Sequence, residues 1–113
     1  MKLFKGKKLL LKNITTASGL IGRFMGLMGK KSIPADHAMY FPACNSIHTY
    51  FMKMPIDVIM LDGKGRVVFT RESMMPWKIA FCSRAKDTIE MRSGNMRRLG
   101  LAIGDILTAK NRS

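Results

Sequence analysis

The alternation of apolar and polar positions along this chain is typical of short strands joined by turns. Apolar runs rich in β-branched and aromatic residues recur throughout, and Gly, Pro, Asp or Ser residues separate them. The strongest turn signal is DGKGR at 62–66, which lies between two apolar runs and predicts a hairpin. We predict strands over residues 8–14, 38–41, 47–54, 56–61, 67–70, 88–92 and 105–109.

Helical spacing of apolar residues occurs in two places. Within residues 18–29 it follows good N-cap residues, and although four glycines weaken it, we expect a short helix that ends near Gly29. Residues 93–99 fit one helical turn, with Ser93 as the N-cap and Gly100 as the stop. Six or seven short strands with one or two short helices predict a mainly β domain, borderline α+β, with a barrel-like or jelly-roll-like architecture.

Length and composition predict a single domain that spans residues 1–113. The hydrophobic fraction of 47% is enough for one core and too high for a disordered chain. The two cysteines, Cys44 and Cys82, form no CxxC pair, so we expect buried thiols, with one disulfide left open. No apolar run reaches the roughly 7–15 residues of a signal peptide or the ~20 of a membrane span. We therefore expect a cytoplasmic protein with no membrane span.

The charge of the chain is strongly positive. Twenty Lys and Arg residues face seven Asp and Glu residues, which gives a net charge of +13. Eight of the basic residues lie within 1–35, where no acidic residue occurs. Such a surface attracts polyanions, but no RNA-binding, zinc-finger or helix-turn-helix motif accompanies it. We expect loose polyanion contact through the basic N-terminal third rather than dedicated nucleic-acid recognition.

Four stretches of the sequence carry a family resemblance. They are GLIGRFMGLM near the start, IHTYFMKMPIDVIMLDGKGRVV in the middle, PW at 76–77, and TIEMRSGNMRRLGLAIGDIL at the end. The central pattern of HT, ID and LD pairs followed by Gly and two valines is long enough to be specific. The SG, LG and GD pairs of the last stretch support it independently. On these residues the chain resembles the domain-of-unknown-function 192 (DUF192) family of prokaryotic proteins over roughly 16–108.

The resemblance implies a compact β-rich fold, barrel-like or jelly-roll-like, with a short helix on the outside. It implies no established activity, and neither it nor the residues imply a cofactor. Many members of the family carry a signal peptide or a lipoprotein leader. This chain departs from that pattern, so the resemblance does not replace the expectation of a cytoplasmic location.

The segment 46–62 holds the residues whose chemistry suits a binding site. Aromatic rings beside hydroxyl and carboxylate groups suit a carbohydrate, another small molecule or a protein partner. If the chain is extended through 44–54, His48, Tyr50 and Met52 share an open face, whereas Ile47 and Phe51 face the core. Our leading hypothesis is a non-catalytic accessory domain with a shallow polar and aromatic groove. Its candidate residues are His48, Thr49, Tyr50, Asp57 and Trp77.

Two alternatives use some of the same residues. In the first, a small enzyme, hydrolase-like or other, has His48 as a base oriented by Asp57 or Glu90, or beside Cys44 or Cys82 as a nucleophile. No nucleophile elbow or phosphate loop supports it, and Asp57 also fits a backbone-bonding role after Pro55.

The second alternative is a soft-metal site. His48, Met52 and Met54, with Cys44 nearby, are ligand types that Cu(I) prefers. In a chain with eleven methionines, however, methionines that fill core gaps near one histidine are expected by chance. We therefore predict no metal ligands.

Overall fold

The computed structural model describes residues 1–17 and 32–111, so the helix predicted within 18–29 lies outside the described residues. The elements of the described residues are strands separated by turns and one short helix near the C-terminal end. They are β1 (Lys2–Lys5), β2 (Lys8–Leu11), β3 (Asn13–Thr16), β4 (His37–Phe41), β5 (Ser46–His48), β6 (Ile56–Leu61), β7 (Val67–Met74), β8 (Ile79–Phe81), β9 (Asp87–Arg92), α1 (Asn95–Leu99) and β10 (Thr108–Lys110). None of the described helical residues forms a helix both long and apolar enough to cross a bilayer.

The described strands form three sheets. The central sheet has five strands in the order β3-β4-β9-β6-β7, in which β3 and β4 are parallel and the other pairs are antiparallel. A three-stranded sheet has the order β10-β1-β2, and β5 pairs with β8 in a two-stranded sheet. The mainly β class is confirmed. The three sheets do not close into a barrel, and the described strands outnumber the six or seven that we predicted.

The central sheet has an apolar core on each face. Strand β6 is buried along its whole length because it lies between β7 and β9, and its sequence IDVIML is nearly all apolar. The first core joins this sheet to the three-stranded sheet and α1: Leu3, Leu10, Leu11, Ile14, Ala38, Ile59, Leu61, Val67, Ile89, Met91, Met96, Leu101 and Leu107. The second core joins its other face to β5 and β8: Ile33, Ile47, Met52, Ile56, Val58, Met60, Met74 and Ala80.

The hairpin predicted at 62–66 is present and connects β6 to β7. Asp62 Oδ1 accepts hydrogen bonds from the backbone N–H groups of Lys64 (2.8 Å) and Arg66 (3.0 Å), which lowers the pKa of Asp62. Gly65 has a φ of +82°, and a Cβ there would lie 2.5 Å from the carbonyl oxygen of Leu107. Glycine is therefore required both by the backbone conformation and by the close approach of the C-terminal segment.

Several of the predicted strands differ from the structure: the last, predicted over 105–109, is Thr108–Lys110. Residues 8–14 split into β2 and β3, which belong to different sheets. The strand predicted over 47–54 is only Ser46–His48, because the chain then turns and Phe51 takes a φ of +64°. Strands β1 and β8, which complete the two smaller sheets, were not predicted from the sequence.

Candidate binding surface

Thr49 joins two loops that lie far apart in sequence. Its side chain is fully buried, and its hydroxyl donates to the carbonyl oxygen of Met75 at 2.7 Å and accepts from the backbone N–H of Lys78 at 2.9 Å. Its own N–H donates to the Lys78 carbonyl at 2.8 Å, and its carbonyl accepts from the N–H of Trp77 at 3.0 Å. Thr49 therefore lies beneath the surface and holds the 49–54 loop against the 75–78 loop.

Two aromatic residues at these loops have left-handed backbones. Phe51 and Trp77 have φ values of +64° and +66°, a conformation that costs about 1–2 kcal/mol for a residue other than glycine. Their side chains point to solvent, with exposures of 57% and 59%. The prediction that Phe51 faces the core is therefore wrong, because alternation ends where the strand ends at His48. Ile47, the other residue predicted to face the core, is buried.

The aromatic side chains of these loops contact one another. The rings of His48 and Tyr50 stack with centroids 4.8 Å apart, and Tyr50 stacks in turn on Trp77 at 5.5 Å. Phe51 meets Trp77 edge to face at 4.8 Å. The Nδ1 atom of His48 accepts a hydrogen bond from the Tyr50 N–H at 3.2 Å, which helps to fix the orientation of the His48 ring. The structure thus brings together three of the five candidate residues: His48, Tyr50 and Trp77.

The outer face of β5 and β8 extends this surface. In the antiparallel register His48 lies opposite Ile79, and Ser46 lies opposite Phe81, whereas Ile47 and Ala80 face the second core. Ile79 and Phe81 are each 61% exposed, and Met75 is 56% exposed. We call this set of exposed or half-buried side chains the aromatic patch: His48, Tyr50, Phe51, Met75, Trp77, Ile79 and Phe81.

The two segments that build the aromatic patch carry only positive charges. The segments 46–54 and 75–86, which build the patch, contain no Asp or Glu. They contain four exposed basic residues, namely Lys53, Lys78, Arg84 and Lys86. The predicted polyanion contact was assigned to the N-terminal third, but this second basic region adjoins the exposed apolar side chains.

Asp57 lies away from the aromatic patch and has a structural role. Its side chain is fully buried, and its Oδ1 atom accepts from the N–H of Ser73 at 2.7 Å. Its Oδ2 atom accepts from the N–H groups of Gly94 and Met96, each at 2.9 Å. Asp57, which lies on β6, thereby caps the N-terminus of α1. The predicted N-cap, Ser93, is not the N-cap, because that position is occupied by Gly94.

Glu90 is a buried acid on the face of the central sheet that packs against the second core. It is 5% exposed and lies in register with Val58 on one neighbouring strand and Met39 on the other. Burial raises the pKa of Glu90 to about 8. Val58 belongs to the second core, so Glu90 faces that core, whereas His48 faces outwards from β5. The structure therefore does not place Asp57 or Glu90 as an orienting partner of His48.

Several sulfur-containing side chains lie at the second core. Cys44 and Cys82 are free, partly buried thiols packed against it, with Met39 and Met54, and the Cys44 thiol donates to the Ser46 carbonyl at 3.1 Å. Met52 is 8% exposed within this core. Among residues 1–17 and 32–111, no group of three or more His, Cys, Asp or Glu residues is arranged to hold a metal ion. The alternation that placed Met52 on an open face with His48 does not hold.

Four members of the patch were not among the residues predicted to bind: Phe51, Met75, Ile79 and Phe81. The IAF triplet at 79–81 fits the alternation of a strand, but that alternation alone would place its two large apolar residues on the buried face. Its pairing with β5 was not visible in the sequence because residues 49–78 lie between the two strands.

The fold and this surface define a class of protein: a small three-sheet β domain that presents an aromatic and basic surface. The chain belongs to the DUF192 family, described as "Uncharacterized ACR", whose model matches residues 4–109. It is 33% identical over 102 residues to the UPF0127 protein TK1120 of Thermococcus kodakarensis and 35% identical over 103 residues to a UPF0127 protein of Thermococcus gammatolerans. These matches cover 84% and 85% of the chain but 63% and 65% of the relatives, so the chain spans just under two thirds of their length.

Two crystal structures share the fold. A protein of unknown function from Novosphingobium aromaticivorans superimposes with a TM-score of 0.77 at 19% identity, covering 85% of this chain and 74% of that one. A protein of Sinorhizobium meliloti, described as a candidate transcription regulator, superimposes with the same TM-score at 22% identity, covering 84% and 79%. At these identities the likeness shows the fold alone.

Proposed function

We propose that this chain is a non-catalytic binding module whose ligand-binding surface is the aromatic patch. The observation that carries the proposal is the exposure of five large apolar side chains on adjoining loops and strands. Phe51, Met75, Trp77, Ile79 and Phe81 are each more than half exposed. Soluble proteins rarely expose so many large apolar side chains together unless a partner covers them.

The backbone of the patch supports this proposal. Phe51 and Trp77 retain a strained conformation that turns their rings outwards, and the buried Thr49 hydroxyl fixes the loop that carries Trp77. Strain of this kind persists only where the surrounding structure imposes it, and it is concentrated at functional sites. A surface built in this way is held in one shape before a ligand arrives, which reduces the entropy lost on binding.

The positions of the acidic residues favour binding over catalysis. Asp57 is engaged by three backbone N–H groups, and Glu90 is buried against the second core, whereas His48 lies on the outer face of β5. One form of the enzyme hypothesis used one of these carboxylates to orient His48, and the other used Cys44 or Cys82 as a nucleophile beside His48. In this proposal the buried residues Thr49 and Asp57 do not contact the ligand. Phe51 and the outward-facing side chains of β8, Ile79 and Phe81, contact it instead.

The test is capture of partners from whole native lysate with the immobilised full chain. We compare wild type with a Phe51→Ala, Trp77→Ala double variant and with a control, Ile103→Ala, since Ile103 is 64% exposed but lies outside the patch. Circular dichroism checks that all three proteins are folded. We expect the double variant to lose molecules that wild type and control retain. Identical captured sets in all three samples would refute the proposal.

A further inference from the structure

We propose that the aromatic patch docks on the surface of a bilayer that contains anionic lipids, an inference that rests on the proposed binding function. The apolar side chains would enter the boundary between headgroups and acyl chains. The neighbouring Lys and Arg side chains would remain at the level of the lipid phosphates. This arrangement needs no long helix, because a folded domain can bind an interface through exposed loops.

The mixture of side chains in the patch favours a lipid surface over nucleobases. The ring of Tyr50 stacks with His48 at 4.8 Å and with Trp77 at 5.5 Å. Trp77 also makes an edge-to-face contact with Phe51 at 4.8 Å, so these rings are engaged with one another. Binding of single-stranded nucleic acid requires open ring faces on which bases can stack. Met75 and Ile79 offer no planar face at all, but both are suited to the acyl boundary.

The shape of the patch favours a broad surface over a small ligand. Small molecules bind in concave sites that enclose most of their surface. In the part of the chain that the structure describes, one cleft is lined by Glu72, Ser73, Gly94, Arg97 and Arg98 and another by residues including Ile33 and Met39. Neither includes a patch residue. The patch side chains instead protrude, with Trp77 and Phe51 at the loops and Ile79 and Phe81 on the outer sheet face.

Charge complementarity points to anionic lipids. Lys53 and Lys78 flank the exposed rings in sequence, and Arg84 and Lys86 follow in the same acid-free segment. The whole chain carries +13, so long-range attraction acts in the same direction as the local charge. Each basic side chain near a negative membrane surface strengthens binding, and Trp and Tyr prefer the headgroup level. An acidic protein surface is the main competing partner, and the test includes it as an outcome.

Trp77 supplies a direct probe because it is the only tryptophan in the sequence. We would titrate the full chain with vesicles of phosphatidylcholine alone and of an equimolar mixture with phosphatidylglycerol. We expect a blue shift of Trp77 emission and quenching by brominated acyl chains with the anionic vesicles. Binding to phosphatidylcholine alone should be at least about tenfold weaker.

Two sets of variants separate insertion from simple charge attraction. Phe51→Ala with Phe81→Ala leaves the probe in place and should weaken vesicle binding by about tenfold or more. Ile103→Ala should not weaken it. Lys53→Gln with Lys78→Gln should reduce binding more than the matched pair Lys12→Gln with Lys64→Gln, since those exposed lysines lie in other segments.

The proposal is overturned if anionic vesicles leave Trp77 emission unchanged. It is also overturned if the double phenylalanine variant binds vesicles as tightly as wild type, or if the two lysine pairs behave alike. A single-stranded oligonucleotide or an acidic protein that shifts Trp77 emission while vesicles do not would replace the lipid assignment. If vesicle binding fails but lysate capture still depends on Phe51 and Trp77, only the lipid assignment is lost; if both fail, the binding function is lost with it.

Discussion

Replacement of Asp57 by alanine is the sharpest test of how this fold is held together. The Asp57 carboxylate lies on β6 and accepts three backbone hydrogen bonds, from Ser73 at the end of β7 and from Gly94 and Met96 at the start of α1. One side chain on β6 thus holds the end of β7 and the start of α1, and Gly94 and Met96 are 37 and 39 positions away in sequence. Alanine removes the acceptor and leaves three N–H groups without their partner.

The magnitude follows from the burial of these groups. Asp57 is 0% exposed, and the bond to Met96 is buried. A buried donor left unsatisfied costs about 1–3 kcal/mol, so three partly hydrated donors should cost about 3–5 kcal/mol together. That is a large share of the roughly 5–15 kcal/mol expected for a domain of this kind. Asp57→Asn should be nearly as damaging, because its NH₂ group would face donors on one side.

Urea denaturation followed by circular dichroism measures the free energy of unfolding. The control is Asp62→Ala, because Asp62 also accepts two backbone hydrogen bonds but does so in an exposed turn where water can replace it. We expect the Asp57 variants to lose far more stability than this control. A loss below about 1 kcal/mol for Asp57→Ala, or one no larger than that of Asp62→Ala, would refute the reasoning.

Three further predictions concern single residues. The pKa of Glu90 is raised to about 8 in the folded protein, so the native state holds a proton that the unfolded chain releases near 4.5. The contribution of Glu90 to stability is therefore full below about pH 4.5 and declines as pH rises towards 8. The free energy of unfolding, measured against pH for wild type and for Glu90→Gln, should fall more steeply for wild type over this range. Equal slopes for the two proteins would contradict the prediction. Gly65→Ala should lower stability by about 1–3 kcal/mol in the same urea assay, because its Cβ would collide with the Leu107 carbonyl. Thr49→Val should weaken capture of partners by the patch and lower stability by about 1–3 kcal/mol, because it removes the buried hydroxyl. Thr49→Ser keeps the hydroxyl and should retain both partner capture and stability. Equal behaviour of the two variants would exclude a role for the hydroxyl.

The parts of the fold that followed from the sequence are those set by local patterns. Residues 56–61 are apolar apart from Asp57 and form the fully buried strand β6, and DGKGR forms the expected hairpin. The predicted strands at 38–41 and 88–92 are present within one residue of their ends, and Gly100 ends α1 as predicted. In each case the signal and the structure lie within a few residues of each other.

The candidate site was predictable only in part, for a similar reason. His48, Tyr50 and Trp77 were selected for their chemistry and lie together. Phe51 was assigned to the core by alternation, which fails because the backbone turns after His48. Asp57 was predicted to bind ligand, but it accepts backbone hydrogen bonds, as in the alternative role given for it in the sequence analysis.

The sequence by itself determined the class of domain, the central strand and the family of this protein, because apolar period, turn residues and motif spacing are local properties. It also determined that segments 46–54 and 75–86 carry basic residues without acids. Only the tertiary structure decided that these segments form one surface, because the contacts that join them run through Thr49 to residues 26 to 29 positions away. The same long-range hydrogen bonding assigned Asp57 to the cap of α1, since burial leaves a carboxylate few alternatives to nearby N–H groups.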